Sequence, residues 1–135
     1  MAIRILIFVC LFSGFSLFSQ VEAQPADELI RNVSSAINRG NARDLAKNFG
    51  PNVDISIPRA EGTFSKSQSE IIFRDFFTRN IPTSFRIDHR LSSRDGTIYV
   101  IGMLQTRQGQ SYRCYFIVKS LSGNLFLHHI QFDLQ

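Results

Sequence analysis

The sequence predicts an α+β domain in which three N-terminal helices pack on one face of a strongly curved antiparallel sheet. Helical spacing of apolar residues dominates from residue 25 to residue 80, and alternating spacing dominates from residue 84 to the end. Turn residues containing glycine separate the alternating segments from one another. The 135 residues, 44% of them hydrophobic and 19% charged, predict one compact domain and exclude a disordered chain or a multidomain enzyme.

The first 23 residues are typical of a secretory signal peptide. Arg4 supplies a positive start, the following run from residue 5 to residue 18 is apolar, and Ala23 closes a short segment with small residues at its ends. The apolar run is too short to span a bilayer comfortably. We therefore expect cleavage after Ala23, a mature domain over residues 24–135, a secreted or periplasmic location and no stable membrane span after cleavage.

The cysteine content excludes an internal disulfide, and the distribution of charge argues against one class of partner. Loss of the signal peptide removes Cys10 and leaves Cys114 alone, so an internal disulfide is impossible. The chain carries a formal net charge of +4, but its arginines are scattered from Arg31 to Arg113 without a cluster. Export and the lack of a basic stripe argue against nucleic acid as a partner.

Two helices are predicted before the first strand. Leu29, Val33 and Ile37 recur at four-residue spacing behind a first turn with proline and acids, and Gly40 ends that helix. Asn41 is placed to cap a second, short helix. We expect the second helix to carry Ala42, Leu45 and Phe49 and to end at Gly50-Pro51.

A strand and a third helix follow. Val53, Ile55 and Ile57 alternate with polar residues, which is the period of a half-buried strand. Ser65 and Gln68 have the spacing of a capping box at the start of the third helix. The apolar stripe of this helix consists of Ile72, Phe73, Phe76 and Phe77. Its oppositely charged pairs at four-residue spacing are Glu70 with Arg74 and Asp75 with Arg79.

Four strands are predicted in the second half, at about residues 84–92, 97–106, 110–119 and 124–133. Asp95-Gly96, Gln108-Gly109 and Gly123-Asn124 separate them, and these residue types accept the positive φ that tight hairpins require. The segments therefore form an antiparallel meander. The set assigned to the concave side under the helices is Phe85, Ile87, His89, Leu91, Ile98, Val100, Gly102, Leu104, Tyr112, Cys114, Phe116, Val118, Phe126, His128, Ile130 and Phe132.

The opposite set of side chains is too apolar for a surface in contact with water. It begins with Arg86, Asp88 and Arg90 but becomes apolar on the later strands. A contiguous apolar patch on a secreted monomer is a liability, so we expect a second copy of the chain to cover it and form a homodimer. The expected dimer-face residues are Tyr99, Ile101, Met103, Tyr115, Ile117 and Leu127.

Several local segments, together with the order of elements, carry a family resemblance. They are Gly40 to Ala46, Val53 to Pro58, Glu61 to Lys66 and Phe76-Phe77. Through them the mature chain resembles a bacterial secreted domain family of unknown function, type 4783, similar in fold to the nuclear-transport-factor-2-like and cystatin-like superfamily. The resemblance implies a cone-shaped half-barrel and export. Members of that superfamily include isomerases, cyclases, hydrolases and non-catalytic modules, so the fold does not fix the activity.

The concave face offers three polar candidates for lining a pocket: His89, Tyr112 and His128. A cone with a few convergent polar groups suits a small apolar ligand. The alternative is that each simply satisfies its hydrogen bonds in the core. Adjacent His128 and His129 point to opposite faces of a strand, so they cannot chelate one ion together, and we expect no metal and no cofactor.

Catalytic patterns implied by the resemblance do not transfer. The hydrolase pattern places an arginine between aspartates, but Arg86 and Asp88, with Asp133 near the terminus, are assigned to the outer face. The isomerase pattern needs a carboxylate base inside the cone, and the apolar neighbours of Asp54 take the inward side. Cys114 lies among apolar residues and is expected to pack as a small hydrophobe.

The sequence thus predicts an exported, non-catalytic binding or dimerisation module without assigned catalytic residues. A small apolar ligand in the cone is one form of this hypothesis. The alternative is an isomerase-, cyclase- or hydrolase-like enzyme acting on a hydrophobic small molecule in the same cone, with His89, Tyr112 or His128 as acid or base. A cone filled by phenylalanine rings would argue against both pocket hypotheses and leave only an interaction module.

Overall fold

The computed structural model describes residues 25–135, in which three helices precede most of the sheet. They are α1 (Pro25–Arg39), α2 (Ala42–Ala46) and α3 (Lys66–Arg79). The signal peptide predicted over residues 1–23 lies outside the described residues. The three helices expected from the sequence are therefore present.

Local chemistry at the helix ends matches the prediction. Gly40 takes φ +63 just past the end of α1, a conformation that costs glycine little. Asn41 caps α2, its side-chain oxygen accepting the Asp44 N–H at 3.0 Å. Ser65 and Gln68 form the capping box at the start of α3.

Six strands form one sheet in the order β2-β1-β6-β5-β4-β3. Four of the five strand pairs are antiparallel, and β1 runs parallel to β6. The last strand of the chain therefore lies inside the sheet, between an early strand and the meander. The strands are β1 (Phe49–Ile57), β2 (Ala60–Ser65), β3 (Pro82–Ser92), β4 (Ile98–Thr106), β5 (Ser111–Leu121) and β6 (Asn124–Leu134).

The region between α2 and α3 differs from the prediction. Phe49, expected on the second helix, begins β1 and pairs with Leu127, and Gly50-Pro51 lies within the strand instead of ending a helix. The strand β2 was not predicted, because Gly62 and the polar residues around it give no alternating signal. Together β1 and β2 form a hairpin that adds two strands to the meander.

Two β-bulges change which side chains face the helices. In β3 the register shifts between Ile87 and His89, and in β6 it shifts opposite Ile117 and Val118, so that Asp88 and His128 are the additional residues. A bulge sets two residues against one and reverses the alternation beyond it. The face assignment from strict alternation therefore fails on one side of each bulge.

Three predicted site residues occupy the wrong face for this reason. His89 pairs with Ile101 on the face away from the helices, and His128 is exposed, so neither lines the concave side. Leu127, predicted on the dimer face, pairs with Val118 and is 0% exposed in the core. The same bulges place Leu91 and Phe126 on the face away from the helices and Arg90 on the side of the helices.

Aromatic rings fill the space between the helices and the sheet. The ring centroid of Phe73 lies 5.8 Å from that of Phe49 and 6.1 Å from that of Phe132. Phe76 packs at 5.4 Å from Tyr112 and 5.0 Å from Phe132. Burying such rings stabilises the fold by about 1.5 to 3 kcal/mol each. The core therefore joins α3 directly to β1, β5 and β6.

Candidate functional site

Within residues 25–135, the face of the sheet turned away from the helices carries no second layer of helix or sheet. We call it the outer face. Its centre is an apolar patch of half-buried side chains on β4 and β5, and we call this the outer-face patch. The outer-face patch consists of Tyr99, Ile101, Met103, Tyr115 and Ile117.

Cross-strand pairing brings the patch residues together. Tyr99 lies opposite Ile117, and Ile101 lies opposite Tyr115. The rings of Tyr99 and Tyr115 are nearly parallel, with centroids 6.4 Å apart and an interplanar angle of 18°. His129 on β6 meets the edge of Tyr115 at 5.7 Å. The patch is therefore a continuous aromatic and aliphatic surface.

The bulge in β3 extends this surface at one side. Because Asp88 is the additional residue, His89 and Leu91 lie opposite Ile101 and Tyr99 on the outer face. The side chain of Leu91 is 70% exposed. Sequence reasoning missed these two residues as members of the outer face, because Asp88 fits the polar positions of the alternation and nothing in the sequence marks the bulge.

Charged residues on the outer face are divided between its two halves. Arg86 on β3 lies opposite Met103, and Arg113 on β5 lies opposite Met103 from the other side. Asp133 on β6 lies opposite Arg113. The neighbouring strand β1 carries Asp54, and the Thr63 hydroxyl donates to Oδ1 of Asp54 at 2.6 Å. Arg86 and Arg113 thus flank the patch on β3 and β5, with Asp88 paired to Arg86, and the carboxylates of Asp133 and Asp54 lie on β6 and β1.

Polar side chains on β6 are hydrogen-bonded to one another along the outer face. Nε2 of His129 lies 3.3 Å from Oε1 of Gln131, and Nε2 of Gln131 donates to Asp133 at 2.7 Å. Arg86 forms an ion pair with Asp88 at 2.9 Å, so the arginine and aspartates of the hydrolase pattern lie on an exposed surface. An exposed pair of this kind contributes little to stability.

The concave interior has no room for a ligand of ordinary size. Phe73, Phe116 and Phe132 are 0, 0 and 1% exposed, and Phe76 and Phe77 are nearly as buried. Within residues 25–135, no buried side-chain nitrogen or oxygen lacks a hydrogen-bond partner. A cone filled by phenylalanine rings was expected to argue against both pocket hypotheses, and the interior is filled in this way.

Of the three pocket candidates only Tyr112 lies on the helix side, and its hydroxyl is engaged. It donates to Oδ1 of Asn80 at 2.8 Å, and the Asn80 amide in turn donates to the carbonyl of Phe76 at 3.0 Å. Burial raises the pKa of the Tyr112 phenol. This hydrogen bond joins the start of β5 to the end of α3.

Cys114, the one cysteine in residues 25–135, is buried where it cannot react with molecules in solution. Cys114 is 0% exposed and pairs with Phe132 across the sheet. Burial, and after it the charge of Asp133, raises the pKa of the thiol well above its ordinary value. Such a thiol is protonated at neutral pH and packs as an apolar side chain.

Across residues 25–135, no three histidine, cysteine or carboxylate side chains are grouped as a metal site. Over the same range, none of the helices combines the length and hydropathy required to cross a bilayer.

Comparison with known proteins gives a family match and a fold. The family model of a domain of unknown function, DUF4783, matches residues 30–133. A DUF4783 family protein from Bacteroides uniformis is 27% identical, with a TM-score of 0.71, covering 78% of this chain and 95% of its own. None of the curated proteins compared with the chain matches it.

More distant solved structures share the fold alone. An NTF2-like protein of unknown function from Cytophaga hutchinsonii is 10% identical with a TM-score of 0.57, and covers 86% of this chain and 94% of its own. A protein of unknown function with a cystatin-like fold from Nostoc punctiforme is 11% identical with a TM-score of 0.61, covering 82% and 89%. The α+β cone expected from the sequence is thereby confirmed.

Proposed function

Because this chain belongs to the DUF4783 family, a domain of unknown function with the nuclear-transport-factor-2-like fold, we propose that it is an exported, non-catalytic interaction module. It associates with a second copy of itself through the outer face of the sheet. The observation that carries the proposal is the outer-face patch, in which Tyr99 stacks on Tyr115 between Ile101 and Ile117. Tyrosine and methionine, both present in the patch, are enriched in the buried centres of protein interfaces.

A second copy is favoured over other partners by the charge pattern. A two-fold axis parallel to the strands, passing between β4 and β5, sets the outer-face patch of one copy over that of the other and sets β3 of each copy over β6 of the other. Arg86 of one copy then lies over Asp133 of the other, because the register sets both residues level with Met103 and Arg113. One surface that complements itself in this way is what a two-fold interface requires.

Catalysis and ligand binding inside the cone are not part of the proposal. The candidate acids and bases His89 and His128 lie away from the interior, and the hydroxyl of Tyr112 is bonded to Asn80. The interior itself holds phenylalanine rings in mutual contact. An enzyme acting on a hydrophobic molecule would need both an open interior and a free acid or base.

The oligomeric state of the purified protein tests the interaction. We expect native mass spectrometry and light scattering to give a two-chain mass at micromolar concentration, and Ile101→Lys to shift it to one chain, because a charge in the centre of an apolar interface is left unpaired. Ile71→Lys is the matched control, since Ile71 lies on α3 and is 62% exposed. A one-chain mass for the unaltered protein contradicts the proposal.

Export is tested separately by the mass of the protein recovered from its native host. The charged start, the apolar run and the small residues ending at Ala23 support removal of residues 1–23. We expect a chain that begins at residue 24 in the periplasmic or extracellular fraction. A cytoplasmic chain that retains Met1 would contradict this part of the proposal.

A further inference from the structure

A cleft separate from the outer face opens between the β1–β2 turn and α3. It has a volume of about 410 Å³, which is within the usual range of small-molecule sites. Its wall is apolar, formed by Ile57, Ile71, Ile72 and Phe76. Because the side chain of Ile71 is 62% exposed, the apolar wall is open to a ligand from solution.

The backbone at the rim of this cleft is strained. Pro58 and Arg59 form the two-residue turn between Ile57 and Ala60, and Arg59 takes φ +83. That conformation is ordinary for glycine and costly for arginine. Strain at a residue whose side chain lines a cleft points to a role for that side chain.

The charged groups at the cleft have a net positive charge. Arg59 and Arg79 line it together with one carboxylate, Asp75, which bonds to Nε of Arg79 at 3.1 Å. The other polar groups are Asn80 and Tyr112, which are bonded to each other. Because Arg79 is paired with Asp75, the net positive charge of the cleft is that of Arg59, and an apolar wall beside it suits a molecule with an apolar body and one anionic group.

We propose that this cleft binds a small amphiphilic carboxylate of the medium-chain fatty acid class. The alkyl chain lies on Ile71, Ile72 and Phe76, and the carboxylate is held by Arg59 with Arg79 beside it. The site is on the outside of the core, so it does not require the filled interior to open. It is also independent of the oligomeric state, because the outer-face patch lies on the other side of the sheet.

Octanoate is the probe, followed by amide NMR of the protein. We expect octanoate to shift the amides of Ala60, Ile71 and Ile72 with a dissociation constant of about 1 mM, as suits so small a ligand. Acetate lacks the apolar body and octyltrimethylammonium carries the opposite charge, so neither should shift these amides. Equal binding of either one, or octanoate shifts confined to other regions, overturns the proposal.

Arg59→Gly separates ligand binding from folding. Glycine relieves the strained φ, so the variant should unfold at the same temperature as the unaltered chain or higher, while octanoate affinity falls about fivefold to tenfold. Arg94→Gly removes the same charge at the opposite end of the sheet, in the β3–β4 turn, and should leave affinity unchanged. Unchanged octanoate affinity in Arg59→Gly overturns the assignment.

Discussion

Nη1 of Arg90 lies 2.6 Å from Oδ1 of Asp27, which joins the end of β3 to the first turn of α1. Strict alternation along β3 assigns Arg90 to the opposite face of the sheet. The bulge at Asp88 brings it to the helix side, where it meets an acidic residue of α1. Both side chains are 38% exposed, so the pair helps to orient α1 more than it stabilises the fold.

The filled interior predicts a large cost for removing a central ring. Phe73→Ala should lower the free energy of unfolding by about 3 to 5 kcal/mol, because it leaves a cavity among four other rings. Urea unfolding followed by circular dichroism measures this change. Ile71→Ala on the exposed side of the same helix should change stability by less than about 0.5 kcal/mol. A small effect of Phe73→Ala would mean that the interior tolerates open space.

The hydrogen bond between Tyr112 and Asn80 predicts a structural role for the tyrosine hydroxyl. Tyr112→Phe should destabilise the protein by about 1 to 2 kcal/mol, since the buried Oδ1 of Asn80 loses its donor. Tyr99→Phe removes a hydroxyl from the outer face and serves as the comparison. If thermal unfolding shows the two variants to be equally stable, the hydroxyl of Tyr112 does not hold β5 to α3.

Gly102 is predicted to resist substitution because of its neighbours. A Cβ added there would lie 2.5 Å from the carbonyl oxygen of Arg86 and 2.8 Å from the ring of Phe85. Gly102→Ala should therefore cost about 1 to 3 kcal/mol. Gly50→Ala is the control, because its added Cβ would meet its nearest atoms at 3.5 Å, an ordinary contact. Equal tolerance at the two positions would contradict the close approach of β3 to β4.

The β3–β4 turn predicts an acid-sensitive carboxylate. The Ser93 hydroxyl and the Thr97 backbone N–H donate to Asp95, and these bonds lower its pKa from 3.8 to about 2. A depressed pKa means that the stabilisation is complete above pH 3.8 and is lost as the pH falls through about 2. Carbonyl NMR of Asp95 during an acid titration measures the pKa directly.

Ser93→Ala should raise that pKa toward 3.8, because the hydroxyl is the largest single cause of the shift. Ser120→Ala, outside this turn, should leave it unchanged. An Asp95 that titrates near 3.8 in the unaltered protein would show that the turn does not hold the carboxylate as described.

The prediction from sequence succeeds where one residue type decides the local structure. Gly40, Asn41 and the Ser65–Gln68 pair fix the ends of the helices, and alternation locates the four meander strands within about two residues. Pairing of β1 with β6 brings together segments more than seventy residues apart, and no local pattern encodes it.

The site residues were harder to predict because one additional residue in a strand changes the face of every side chain beyond it. One additional residue at Asp88 moves His89 out of the concave face, and another at His128 moves Leu127 into the core. Tyr99, Ile101, Met103, Tyr115 and Ile117 lie where no bulge intervenes, and they are on the predicted face. The interior could not be judged open or closed from the sequence, since ring packing depends on the relative placement of α3 and the sheet.

The central position of β6 has a consequence for biosynthesis. Among the strands of this sheet β6 is synthesised after the others, yet both β1 and β5 require it as their neighbour. A nascent chain that lacks it has two separate fragments of sheet, each with an unpaired edge, and the sheet cannot close until residues 124–134 are available. The domain therefore acquires its native sheet only after β6 has been synthesised, and a chain without β6 is exposed to aggregation through those edges.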